Sequence, residues 1–279
     1  MTVAERTDNV AENVDRIAEL VNRLVASLVK RIRKLPAERS GVDWFRAQLR
    51  LMRDVTGLLD GFKRDYSSLM AVSLLDSAQE AADAEVELEA SLELVPDMRL
   101  RATKRHSVTL SDGSVVVALY SELADTAVRT TTGKVYADGK QLYQRLGDLD
   151  AETRKAVDSV IAEGIRNGLA AEAIAANLQS ALADRGVLTP TYRAMRLAVT
   201  EMAMARREAA RRAVLTPQGT MKSGVQGLRW TLSAAHDVVD ECDDYAAGSS
   251  DGLPSGVYLP DDVPESHPNC RCVLIPEMT

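Results

Sequence analysis

The sequence predicts a mainly α-helical protein with small α+β parts. Three observations carry that expectation. Apolar residues recur at spacings of three and four through most of residues 8–214, the mark of helices that bury one face. Aromatics make up only 4% of the chain, so the core must rely on Leu, Val, Ile, Ala and Met, which suits helix packing better than a large β-sandwich. All three cysteines fall between His236 and Cys272, so a small stapled unit is expected at the C-terminal end. The expected organisation is an N-terminal helical bundle or arm over 1–98, a central region of helices with short hairpins over 99–215, and a small Cys/His-stapled domain over 216–279.

The elements follow in order. Val10, Val14, Ile17, Leu20, Val21, Leu24, Val25, Leu28, Val29 and Ile32 draw one apolar stripe over 8–34, and Pro36 closes that helix. A second helix starts near Val42 and runs through Phe45, Leu49, Met52, Val55, Leu59 and Phe62, weakened by Gly57 and Gly61. A third covers 64–94 and is stopped by Pro96. Its end carries Glu80, Asp83, Glu85, Glu87, Glu89 and Glu93, which reads as a solvated acidic face. Asp112-Gly113 between Val108-Thr109-Leu110 and Val115-Val116-Val117 marks a hairpin, and Asp138-Gly139 between Val135-Tyr136 and Leu142-Tyr143 suggests another. Helical spacing returns over 150–166 and 170–183, with Gly164 and Gly168 at the join. Thr189-Pro190 is a strong helix start, with Thr as N-cap and Pro at the first helical position. That helix runs to about Val214. Beyond Gly219, Leu228, Trp230 and Leu232 alternate, and with Cys272-Val273-Leu274-Ile275 they suggest two paired strands.

Composition narrows the function. The chain has 279 residues, 46% hydrophobic and 27% charged, which fits an ordinary globular protein. A net charge of −7 argues against a free-standing nucleic-acid binder. No apolar run is long enough for a transmembrane helix, and the charged N-terminal stretch lacks the apolar core of a secretory signal. Three cysteines do not make a secreted disulfide scaffold, so a reducing cytoplasm is the expected compartment.

Thiolate and imidazole are the ligands structural zinc prefers, in a closed tetrahedron. Cys242, His267, Cys270 and Cys272 supply four, and His236 is a spare ligand or an outer group. A crosslink at its base would order the Gly-, Pro-, Ser- and Asp-rich loop between them. A disulfide from Cys242 to Cys270 or Cys272, or three thiols packed as small hydrophobes, would also account for the cluster. Trp230 is expected to cover it. No Lys or Arg lies between Trp230 and Cys270, while nine acids do, so this segment should avoid DNA. The preceding helix is the reverse. Arg206, Arg207, Arg211 and Arg212 either pair with the acidic loop or the acidic 80–93 segment, or meet nucleic acid or an acidic partner. No HExxH, phosphate-loop or zinc-deaminase pattern is present. His106 and Ser107 are adjacent on an expected strand, point to opposite faces and cannot pair as base and nucleophile.

The ending His267-Pro268-Asn269-Cys270-Arg271-Cys272, preceded by an acidic Cys-containing stretch and Trp230, resembles the C-terminal domain of the Mu F-like phage head morphogenesis (minor head) proteins. Arg196-Leu197-Ala198-Val199-Thr200-Glu201 and the Ala- and Arg-rich run after it look like that family's R-x-x-x-T-E helix. The likeness covers roughly 130–279. It departs at Tyr245, where many relatives carry a second cysteine. The resemblance implies a low-copy minor capsid component of the virion, assembled in the host cytoplasm at the portal vertex. It implies contact with portal protein, major capsid protein or scaffold, a role in head assembly and in DNA packaging or ejection, and contact with packaged DNA. It implies no settled enzymatic activity and no membrane. Thr200 and Glu201 are expected to tie the helix to the C-terminal domain. The alternative expectation is a zinc-dependent virion enzyme, a nuclease or maturation peptidase, which needs an open metal site and a general base.

Overall fold

Helix α1 (Val3–Ile32) uses the expected stripe: Val14, Ile17, Leu20, Val21, Leu24, Val25, Leu28 and Ile32 are buried. The computed structural model describes residues 3–36, 41–91, 97–136, 138–183, 189–234 and 236–279, and the side chains of 3–10, 41, 91 and 183 are not described. The side chain of Val10, and Pro96, therefore lie outside the described residues.

The two helices expected over 42–62 and 64–94 are one, α2 (Gly41–Ser91). Gly57 and Gly61 each cost ~1 kcal/mol against alanine in a helix. Burial of Leu51, Val55, Leu59, Phe62, Leu69, Met70 and Leu74 along the same rod outweighs that. The sequence overstated these glycines because tertiary packing, not propensity, holds most long helices together.

After a short 3-10 turn at Met98–Leu100, β1 (Lys104–Thr109) and β2 (Val115–Tyr120) form the expected antiparallel hairpin. Its tip is docked on α2, where the buried Asp65 carboxylate accepts the Ser111 N–H at 3.0 Å. Helix α3 (Glu122–Gly133) has no counterpart among the expected elements; Ser121 caps it, accepting from the Ala124 N–H. Asp138-Gly139 makes only a turn. Leu142-Tyr143, expected as a strand, instead opens α4 (Leu142–Arg166), because the Gln141/Gln144 capping box starts a helix there.

Helix α4 ends where the sequence placed the join. Gly168 sits at φ 62°, its N–H bonds the Ile165 carbonyl and the Leu169 N–H bonds the Gly164 carbonyl, a Schellman end. Gly164 has a separate reason. A Cβ there would lie 2.5 Å from Ile174 Cγ1 on α5 (Ala171–Ala183), so only glycine lets the two helices touch. Helix α6 (Pro190–Ala213) starts as expected, with Thr189 Oγ1 accepting the Tyr192 N–H. One apolar core runs through α1 to α6, and α6 lies along α2 over a long contact.

The acidic run on α2 is only in part the solvated face expected: Asp83 and Glu87 are exposed, and Glu93 lies outside the described residues. Glu80, Glu85 and Glu89 are buried, on the side turned to α6 and the segment after it. Arg206 pairs with Glu80, and Lys222 Nζ lies 2.6 Å from Glu89 and 3.8 Å from Glu85. Glu85 and Glu89 are one turn apart and share Lys222, while Glu80 lies on another face and meets Arg206; both cations come from far along the chain.

The last strands, β3 (Val225–Thr231), β4 (Val257–Tyr258) and β5 (Val273–Met278), form an antiparallel sheet in the order β4-β3-β5. Trp230 stands opposite Leu274 and Thr231 opposite Val273, the expected pairing; β4 adds a third, very short strand. Helix α7 (Glu241–Ala247) lies in the loop between β3 and β4. A second buried cluster joins this sheet to Ala210 and Val214 at the end of α6.

One pH effect follows from the helical body. Burial raises the Asp76 carboxyl from 3.8 to about 6, against the opposing pull of Arg16. An acid that holds its proton more tightly when folded weakens the fold as pH climbs from about 4 through about 6. Asp76→Asn should therefore be more stable than the parent at pH 7, with the difference fading below about pH 4. Urea unfolding at the two pH values measures this, and an equal difference at both would refute it.

Candidate metal centre

Each sulfur is placed by a local device. Cys242 sits in the first turn of α7, where the Asp240 carboxylate caps the helix by accepting the Cys242 N–H at 2.8 Å. Asp243 closes a reciprocal capping box onto the Asp240 N–H at 2.9 Å. His267 and Cys270 are brought together by a tight turn. Its Cys270 N–H to His267 carbonyl bond is 3.3 Å, Pro268 takes its second position and Asn269 its third, at φ 69°. That is the type II pattern, in which proline presets one angle and asparagine tolerates the left-handed one. The His-Pro-Asn-Cys string is thus first a backbone instruction. Cys272 follows two residues on, immediately before β5.

The result is a buried knot. Cys242 Sγ is 3.5 Å from Cys270 Sγ and 3.2 Å from His267 Nε2, and the three sulfurs all lie within 4.8 Å of one another. No disulfide joins Cys242 to Cys270 in this structure, since a bonded pair stands ~2.05 Å apart. All three thiols are free, and each cysteine is at most 3% exposed. The buried Cys242, Cys270 and Cys272 cluster could hold a metal ion such as zinc.

The donor set fits a cation. His267 Nδ1 is 3.0 Å from the Pro268 carbonyl, which can only accept, so Nδ1 carries a hydrogen. In the neutral ring Nε2 then presents a lone pair, and it faces the Cys242 sulfur and, at 3.1 Å, an Asp240 carboxylate oxygen. These contacts can be met by the Cys242 S–H, by a proton on the ring, or by a cation between the donors. Among the sulfurs, a hydrogen bond from Cys272 and the charge of Arg207 draw Cys270 down to about 5, while burial pushes Cys242 up to about 12. Cys270 is therefore the sulfur most readily present as thiolate, the form that binds metal.

Arg207 is the second finding. The sequence leaves it two partners, the acidic loop or 80–93 segment, or else nucleic acid or an acidic protein. Instead it is buried, with its guanidinium 3.5 Å from Cys270 Sγ and 3.0 Å from the Cys272 carbonyl, and it also meets Ser266. It stands over the Trp230 ring at 5.6 Å. Arg206 is likewise buried on Glu80. Arg211 pairs with Glu208 and with Asp261 of the acidic loop at 3.0 Å, and Arg212 pairs with Glu208 at 2.6 Å. Arg206 and Arg211 thus take the expected pairing with the acidic 80–93 segment and the acidic loop, while Arg207 turns inward onto the thiol cluster instead of toward nucleic acid or an acidic partner. Trp230 belongs to the same buried cluster as the cysteines and packs edge-on against Tyr245 at 5.1 Å.

Thr200 and Glu201 divide their expected task. Thr200 Oγ1 accepts the Asn269 N–H at 2.8 Å and so ties α6 to the His-Pro-Asn-Cys turn. Glu201 does not reach that domain. It is fully buried, accepts from the Tyr136 hydroxyl at 2.5 Å and faces Arg145 at 3.5 Å, joining α6 to α4 and the turn before it. Neighbours on a helix point about 100° apart, so the pair serves two different surfaces. Burial raises the Glu201 carboxyl, against the hydrogen bond from Tyr136 and the charge of Arg145.

Thr200→Val keeps the shape but leaves the Asn269 N–H without its acceptor, a loss of ~1–3 kcal/mol if it stays buried. Faster hydrogen exchange across 267–272 is expected for valine and not for serine; unchanged exchange would count against the tie.

His236 does not join the sulfurs. Its Nε2 is 3.0 Å from Asp243 and 3.9 Å from Asp240, at the edge of a cleft of about 250 Å³ beside the cluster. Its hydrogen bond to Asp243 raises its pKa. Asp240, read from sequence only as one more acid, turns out to link the two histidines; the Asp-x-x-Asp capping spacing was the signal available. Gly248-Ser249-Ser250-Asp251-Gly252 has the spacing of a hydrolase nucleophile elbow. Ser250 is not on a strand-to-helix turn, however, and its hydroxyl is occupied by Asp262 at 2.8 Å and the Leu259 N–H at 3.0 Å. No described helix is long and apolar enough to cross a membrane. No protein-family model matches this chain, and no curated protein or solved structure does.

Proposed function

We propose that the chain is a phage minor head (head morphogenesis) protein, a structural component at the portal vertex whose C-terminal unit is stapled by zinc. Cys242, Cys270, Cys272 and His267 would be the four ligands, with Asp240 and Arg207 balancing charge around them. When bound, zinc supplies no chemistry here beyond a crosslink between α7 and the two ends of the turn. The observation that carries this reading is the Asn269–Thr200 bond. It joins the His-Pro-x-Cys-x-Cys ending to the R-x-x-x-T-E helix, the two parts of the sequence that resemble the minor head family. Portal protein, major capsid protein or scaffold are the partners proposed, at low copy in the virion.

The other reading, a zinc-dependent nuclease or maturation peptidase, needs an open metal position and a free base. Its best support is the cleft lined by His236, Asp240 and His267. Against it, Asp240 and Asp243 are engaged as helix caps and the three sulfurs are buried. Elemental analysis with thiol titration tests the staple: about one zinc per chain is expected. Reconstruction of the particle tests the role. Density for this chain away from the portal vertex, or its absence from the particle, would defeat the reading.

A further inference from the structure

Helix α2 begins beyond the end of its partner. Arg31 in the last turn of α1 pairs with Asp54, and Leu51 is the first buried residue of α2. The turns before it overhang the body, about 15 Å of helix at 1.5 Å per residue. On this overhang Val42, Phe45, Leu49 and Met52 are 63%, 59%, 53% and 40% exposed. Their spacing is three, four, three, the narrow seam of a coiled coil rather than the broad stripe of a core-facing or membrane-lying helix.

Charge chooses the occupant. At 100° per residue the seam lies between the buried face of α2 and a row formed by Arg46, Arg50 and Arg53. Arg46 has only a loose contact with Asp43, at 3.7 Å, and Arg50 and Arg53 make no ion pair among the described residues. Asp54 is taken by Arg31. An antiparallel second copy would bring arginine against arginine, a destabilising arrangement, and a parallel one would turn the arginine row toward the Gln48 and Val55 side, where no carboxylate meets it.

We infer that the overhanging start of α2 is a docking seam for an acidic amphipathic helix of a partner protein. The partner's apolar residues would sit on Phe45 and Leu49, and its carboxylates would meet the arginine row. The inference does not depend on what the thiol cluster holds.

The full chain is titrated with labelled three-heptad peptides, leucine at the seam positions and either glutamate or lysine flanking it. The glutamate peptide should bind about tenfold or more tighter than the lysine peptide, and more weakly as salt rises. Trp44, half-buried on the overhang, should report the binding by its fluorescence. Phe45→Ser with Leu49→Ser should lose it; both residues are exposed, so the helix content should not change. Arg50→Glu with Arg53→Glu should reverse the preference between peptides. Four results would each overturn the inference. They are no binding of the glutamate peptide, equal affinity for both peptides, self-association abolished by the serine variant, and partition onto phosphatidylserine vesicles abolished by that variant.

Discussion

Replacing Cys270 with serine is expected to release the metal and unfasten the C-terminal unit while the helical body stays folded. Cys270 is the centre of the knot: Cys242 and Cys272 lie against it and Arg207 points at it. The sheet it anchors is small. Strand β4 is Val257–Tyr258, and the loop from α7 to β5 is held by that short pairing, by backbone hydrogen bonds, by ion pairs such as Arg211–Asp261 and by the knot. Structural zinc typically contributes ~10–16 kcal/mol to a site of this kind. Without it, hydrogen exchange and proteolysis should rise sharply across 241–272. Helical circular dichroism should change little, because α1 to α6 share a separate core. Zinc content should fall from about one per chain to near none. His236→Ala is the contrast, since His236 lies with carboxylates and not with sulfurs, so its zinc content should be preserved. Unchanged zinc in the Cys270→Ser protein would remove the staple.

The second large effect concerns the buried ion pair between α2 and α6. Glu80 and Arg206 are each at most 7% exposed, and they meet where the two longest-packed helices cross. Breaking such a pair by removing one partner strands a buried charge, at a cost of ~3–5 kcal/mol. Arg206→Met alone and Glu80→Leu alone should each show that loss in urea unfolding. The double variant should recover most of it, because two apolar side chains of similar volume need no compensation. Additive losses would mean that the two charges are satisfied independently. This pair also explains a misreading. Glu80, Glu85 and Glu89 read as solvated because acidic helix ends usually are, and nothing near them in sequence is basic. Their partners, Arg206 and Lys222, arrive only when α6 is laid against α2.

Elements governed by local chemistry were legible. The Thr189-Pro190 start of α6, the Asp112-Gly113 hairpin and the helix end at Gly168 depend on a few adjacent residues. Helix α3 was missed because its apolar positions, Leu123, Ala124 and Ala127, are few and small. The single rod of α2 was missed because Gly57 and Gly61 are local penalties, and the compensating contacts are distant.

By itself the sequence determined the helical class, from spacing, and the gathering of sulfur and imidazole near one end, from placement. It also encoded the tight turn that joins His267 to Cys270, since proline and asparagine set backbone angles within four residues. Tertiary structure decided everything that required a direction. It sent Arg206 and Arg207 inward, gave Thr200 and Glu201 different surfaces, and left the first turns of α2 uncovered. A side chain's type is written in the chain, but the charge or carbonyl it meets is fixed only when helices far apart in sequence pack together, and burial then makes that meeting obligatory.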